Sequence, residues 1–210
     1  MLGATFAMAT AAAGDREQAR RMHDRLAGVP PSEQVLQDMI SEITDGSGSQ
    51  QAYESAARIA MDNSEFYRVT LKNFAAPWTN REQDVFVPLN DYIATVIGVI
   101  RDDDTPGYVP FNEILSADVL YVGAGNLGLP GYSPANNNHY AEMERQNIDM
   151  GDSAQLLRDN QTVRNNIPAA GVAGLLTTRA AAQAFFIAGT NRAMFRFTML
   201  NHLCNDMESV

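Results

Sequence analysis

The chain has 210 residues, 45% of them hydrophobic, enough for one large domain with a packed core and too apolar for a disordered polymer. Its 25 acidic residues outnumber 15 basic ones for a formal charge of -10, a balance that disfavours nucleic acid and anionic membrane surfaces as partners. The single cysteine, Cys204, excludes an internal disulfide framework, a zinc ribbon and covalent haem attachment through C-x-x-C-H within these residues.

Residues 2–13 (LGATFAMATAAA) form an uncharged run that resembles the apolar core and small-residue cleavage site of a secretion signal, without its usual cationic start. The reading is export, with 1–13 as a signal remnant; the alternative is an Ala-rich first helix. No stretch reaches the roughly 18 apolar residues that a membrane span requires. Residues 15–26 read as a charged helix stopped by Gly28 and Pro30-Pro31. Ser32 then caps a helix whose Val35, Leu36, Met39, Ile40 and Ile43 share one face. Residues 14–45 are thus a helical pair, 46–50 (GSGSQ) a short linker, and 51–210 a second helical domain.

Within that domain helical patterns cover 51–61, 65–74 and 85–101, the last with Tyr92, Val96, Val99 and Ile100 on one face. The middle is rich in Gly, Pro, Asn and Asp, with a short helix at 112–117 and a possible strand at Tyr121-Val122. Helical signals return at 140–147, 153–160, 177–186 and 190–207, with Gly189 breaking the last two. The fold class is all-α: an irregular multi-helix domain with a long loop-rich middle, where structureless chain usually carries function.

Four constellations have the residue types for chemistry. Gly123-Ala-Gly125-Asn-Leu-Gly128 matches G-x-G-x-x-G, which serves a nicotinamide cofactor only where a helix starts at the loop; Pro130 and Pro134 oppose that. Asp102, Asp104, Gly107 and Glu113 occupy positions 1, 3, 6 and 12 of an EF-hand-like calcium loop, although Pro106 removes one ligand. The bland alternative is a solvated acidic turn. His139 and Glu142, three apart on a helix, are the remaining metal candidates, against a surface histidine in a polar loop. His202 and Cys204, two apart, point to different sides of a helix, so Cys204 reads as a small buried residue. The metal set is therefore Asp102, Asp104, Glu113, His139 and Glu142, and a metal-assisted or acid-base enzyme would require them to converge.

Several segments are familiar together. Arg25-Leu-Ala-Gly28-Val-Pro30-Pro31-Ser32 and Phe111-Asn-Glu113-Ile-Leu-Ser-Ala-Asp118 resemble the "R-L-x-G-x-P-P-(S/T)" and "P-F-x-x-I-L-x-A-D" elements of uncharacterised exported bacterial proteins, abundant in planctomycetes, that occur beside c-type cytochrome domains. Ala57-Arg58 with Phe66-Tyr67 and Trp78 is similar to their next helical block. Gly174-Leu-Leu-Thr177, Thr190-Asn191-Arg192 and Leu203-Cys204 resemble the segment before their haem-binding part. The resemblance, in patches over 25–204, implies a mainly helical fold, a periplasmic or cell-surface location and a haem c domain elsewhere in the polypeptide. It transfers no catalytic residue. The lack of C-x-x-C-H and the stop at Val210 directly after a helix lead us to expect a C-terminally truncated fragment that acts as a scaffold or interaction module and itself holds no cofactor. Phe185-Phe186 and residues 191–197 are its candidate docking face, the alternative being core at helical spacing.

Overall fold

Helix dominates the computed structural model, which describes residues 14–187 and 192–207. The signal-like run 2–13, Gly189, Thr190 and Asn191 lie outside the described residues. The chain forms two compact units, Met1–Asn63 and Ser64–Val210.

In the first, α1 (Asp15–Ala27), α2 (Glu33–Asp45) and α3 (Gln50–Met61) enclose a core of Ala19, Leu36, Met39, Ile43, Ala56 and Ala60. The local signals act where the sequence places them. Gly28 stops α1 in the left-handed conformation, and the Ser32 and Ser49 hydroxyls accept the Val35 and Ala52 amides to start α2 and α3. The unit boundary differs from the sequence reading: α3 belongs with the first pair, and 46–49 is a turn inside the unit. Two amphipathic helices leave an apolar face open, and the small face of Ala52, Ala56 and Ala60 closes it.

The second unit is built around α5 (Asp91–Asp102), buried continuously over residues 91–99. A helix apolar on most sides belongs at a centre and not at a surface. It starts later than its pattern: residues 85–90 do not continue the helix, because Pro88 lacks the amide a helix interior needs, and the Asn90 side chain caps the helix by accepting from Ile93 N–H. Preceding it, Phe66–Leu71 winds as a π-helix into α4 (Lys72–Ala75).

Against α5 lies β1 (Leu120–Gly123), antiparallel to β2 (Leu156–Asp159) in the register Leu120↔Asp159 to Gly123↔Leu156. Thr95 Oγ1 accepts the Tyr121 amide at 3.2 Å, joining the strand to the helix. β2 replaces the helix expected at 153–160: pairing with β1 outweighs a weak local preference. Gly98 is the close approach that permits this packing, since the buried Tyr121 ring occupies the space a Cβ there would need. α6 (Asn138–Arg145) lies between the two strands in sequence and α7 (Gln161–Arg164) follows β2, and the 112–117 helix is reduced to one 3-10 turn, Phe111–Glu113. α8 (Arg179–Ala181) runs into a π-helix, Ala182–Ile187, and α9 (Ala193–Leu203) follows. Among the described residues no helix is long and apolar enough to cross a membrane.

Candidate functional site

The start of α5 does more than begin a helix. Asp91 is fully buried, and its carboxylate accepts the backbone N–H of Arg179 at 2.5 Å and of Ala180 at 3.0 Å, 88 and 89 residues away. Burial raises the Asp91 pKa, opposed by the nearby Arg179 guanidinium and by N–H donation from Ala180, Arg179 and Tyr92. Thr178 supplies the local cap of α8 through Ala181 N–H, so two side chains fix where Arg179 emerges.

Arg179 is held by neutral partners. Its Nη1 donates to Gln183 Oε1 at 2.6 Å and its Nη2 to Asn137 Oδ1 at 2.7 Å, while Asn137 Nδ2 is anchored on the Leu89 carbonyl at 2.7 Å. The Nε–H is buried and has no acceptor. Two clefts meet at this side chain. One, of about 570 Å³, has Asn80, Asn90 and Asn137 in its wall; the other, of about 460 Å³, has Ile167, Ala182 and Ile187. Arg179 and Gln183 line both. Gln183 and Ile187 sit on the π-helix, a rare geometry that recurs at functional sites.

A second feature is the C-terminal helix. α9 mixes apolar residues with Arg196, Thr198, Asn201 and His202 and has no single apolar face, and only Phe197 in it is buried; Phe195 (58%) and Leu203 (61%) stand exposed, with Phe186 (59%) before it. The predicted docking face therefore divides. Phe185 and Phe197 are core, their rings stacked at 4.8 Å, whereas Phe186 and Phe195 face solvent; Asn191 lies outside the described residues. At the far end of α9, His202 Nε2 lies 2.8 Å from the buried Tyr92 hydroxyl and packs edge-on against Trp78; burial lowers its pKa. Cys204, expected inside, is exposed, because it ends the helix with φ 50°.

Four of the five predicted metal residues are engaged in other ways, and among the described residues no three His, Cys, Asp or Glu groups are placed to hold a metal. Asp102 turns inward: Arg101 grips it through Nε (2.8 Å) and Nη2 (2.7 Å), and the Tyr121 hydroxyl donates to it at 2.7 Å. An EF-hand-like loop needs this first carboxylate facing its own centre. Glu113 is exposed on the 3-10 turn, and Asp104 is exposed with a partner of its own. Glu142 is held down to about 2 by hydrogen bonds from Arg145 and Gln146.

His139 is not a surface histidine. It is 5% exposed; Nδ1 is 2.7 Å from the Pro130 carbonyl, and Nε2 accepts the Gly123 N–H at 2.9 Å. A carbonyl only accepts and an amide N–H only donates, so the ring is the neutral Nδ1–H tautomer with both nitrogens occupied. Burial lowers its pKa, consistent with that tautomer. His139 is thus the clasp of the glycine-rich loop. The loop itself leaves an antiparallel strand and enters one 3-10 turn, Gly125–Leu127, so the parallel sheet and helix N-terminus of a dinucleotide site are both missing from it.

Sequence reading missed Asp91, Arg179 and Gln183. An Asn-Asp pair before an apolar run signals a helix start, but nothing local indicates that the Asp serves a helix 88 residues on. No family model, curated protein or solved structure matches the chain.

Proposed function

We propose that this chain is a helical interaction module that docks through α9, and that its partner is a c-type cytochrome domain in the periplasm or on the cell surface. The observation that carries the reading is α9 itself: its apolar residues gather on no single face, and it leaves the large side chains of Phe195 and Leu203 exposed. Large exposed aromatic and aliphatic side chains are the anchors of protein interfaces. The resemblance of 25–204 to exported cytochrome-associated proteins supports the choice of partner. The net charge of -10 favours a partner whose contact rim is basic.

The test begins with the intact mass and visible spectrum of the polypeptide from its native source. A mass well above 22.9 kDa with a haem Soret band is the expected result; a mass at or below that value without a chromophore overturns the cytochrome assignment. Side-chain footprinting of α9 in that native polypeptide then addresses docking. Labelling of Phe195 and Leu203 should fall severalfold relative to the 210-residue chain, and equal labelling removes α9 as the docking face.

A further inference from the structure

The cleft at Arg179 has a chemistry of its own, independent of α9. The guanidinium carries five N–H donors, of which the structure commits one on Nη1 to Gln183 and one on Nη2 to Asn137. Both acceptors are neutral amides. The buried carboxylate nearby, Asp91, spends its oxygens on backbone N–H groups of Arg179, Ala180 and Tyr92 and makes no hydrogen bond to the guanidinium. Each Nη keeps a second N–H, and a guanidinium with uncommitted donors on both Nη atoms suits a carboxylate.

The surroundings limit what such an anion looks like. On one side the cleft wall is mixed, with Asn80, Asn90 and Asn137 beside Val87 and Pro88; the charged Arg81 and Glu82 on it have opposite signs. On the other side Ile167, Ala182 and Ile187 offer apolar surface, with Ile187 81% exposed. Both clefts are within the size range of small-molecule sites. A bare inorganic anion would use the guanidinium and leave the apolar wall uncovered. A neutral apolar molecule would use the wall and leave the charge unanswered.

We propose that Arg179 anchors a binding site for organic carboxylates that carry an apolar body, with the carboxylate on the two Nη groups and the body along Ile167, Ala182 and Ile187. Asn137 and Gln183 are positioning residues: they hold the guanidinium plane and contribute amide polarity beside the head group. Asp91 fixes the backbone of Arg179 and does not meet the ligand.

Isothermal titration of the full chain with octanoate, octanol and butyrate tests this. Octanoate should bind saturably with one site per chain, octanol should bind about tenfold more weakly for want of the charge, and butyrate about tenfold more weakly for want of apolar contact. Arg179→Gln keeps the backbone N–H that Asp91 accepts and should weaken octanoate about tenfold. Ile187→Ser, at an exposed position where folding is not at stake, should erase most of the difference between octanoate and butyrate. If Arg179→Gln fails to fold by circular dichroism, Gln183→Leu, also exposed, carries the same test and should weaken octanoate severalfold. Octanol binding as tightly as octanoate would show apolar adsorption only and overturn the site. So would an unchanged octanoate affinity in the folded Arg179 or Gln183 variant, or the absence of saturable binding to the parent chain. None of these outcomes bears on α9, whose footprint is read separately.

Discussion

The two units are stabilised in different ways. The first closes on small and aliphatic side chains, with Ala19, Ala56 and Ala60 wholly buried among Leu36, Met39 and Ile43, and its ion pairs, such as Arg16–Glu33, lie in solvent. Exposed pairs of that kind contribute little. The second threads buried polar groups through its core: Asp91, Thr95, Asp102, His139 and Gln161 are all buried, and each bonds to backbone or side chain far along the chain. An amphipathic trio needs only shape, whereas a unit with long irregular connections must satisfy the backbone those connections expose.

The sharpest way to break this contrast is Arg101→Met. Arg101 and Asp102 have side chains only 8% and 9% exposed, and Arg101 Nη1 also reaches the carbonyls of Met150, Asp152 and Leu156. Removing the cation leaves a buried carboxylate without its counterion and three carbonyls without a shared donor, a loss of about 4 kcal/mol. Hydrogen exchange read by mass spectrometry should show lost protection in peptides of residues 64–187 with residues 15–61 unchanged. Equal loss in both would mean that the chain unfolds as one body, and the contrast in stabilisation would have no separate thermodynamic expression.

The reciprocal change is smaller. Ala56→Leu forces three extra carbons into a core where Ala56 has no exposed surface, which costs about 2 kcal/mol by overpacking. Protection should then fall in residues 15–61 and hold in 64–187. If the helices accommodate the larger side chain with no loss, the first unit is loosely packed and shape is not what specifies it.

The same contrast governs what was legible from sequence. Caps, Gly28 and the 3-4 spacing of α2 are local signals, and they placed α1 and α2 closely. They did not reveal that α3 joins them, because an alanine face carries little hydrophobic signal even where it packs tightly. In the second unit the central helix was visible as an apolar run, but its start required knowing that Asn90 caps it and that 85–89 is not helical. β2 was unreadable locally: Leu-Leu-Arg-Asp has no alternation, and only the pairing with β1 makes it a strand. The acidic and histidine residues that looked like ligands were recognised by type, and type does not disclose direction. Asp102 and His139 both point at structural partners, one an arginine next to it in sequence, the other a glycine 16 residues before it.

pH offers the mildest test, since it leaves the sequence intact. The folded chain keeps His139 and His202 neutral, burial lowering both pKa values below that of the unfolded chain, about 6.5. The unfolded chain therefore takes up protons first as pH falls. Stability contributed by the two rings is fully present above about 6.5 and is lost progressively as pH drops from there through the folded values. Asp91 works in the opposite direction: its raised folded pKa makes protonation favour the folded chain. A simple acid titration thus mixes both signs, and a variant is needed to separate them. His139→Gln retains a donor for Pro130 and an acceptor for Gly123 without a titrating ring. Thermal unfolding followed through Trp78, the sole tryptophan and a residue of the second unit, should give a melting temperature that falls between pH 7.5 and 5.5 in the parent chain and falls less in the variant. Identical slopes would mean that the clasp opens before the ring titrates. The glycine-rich loop would then be held by its proline and strand contacts and not by His139.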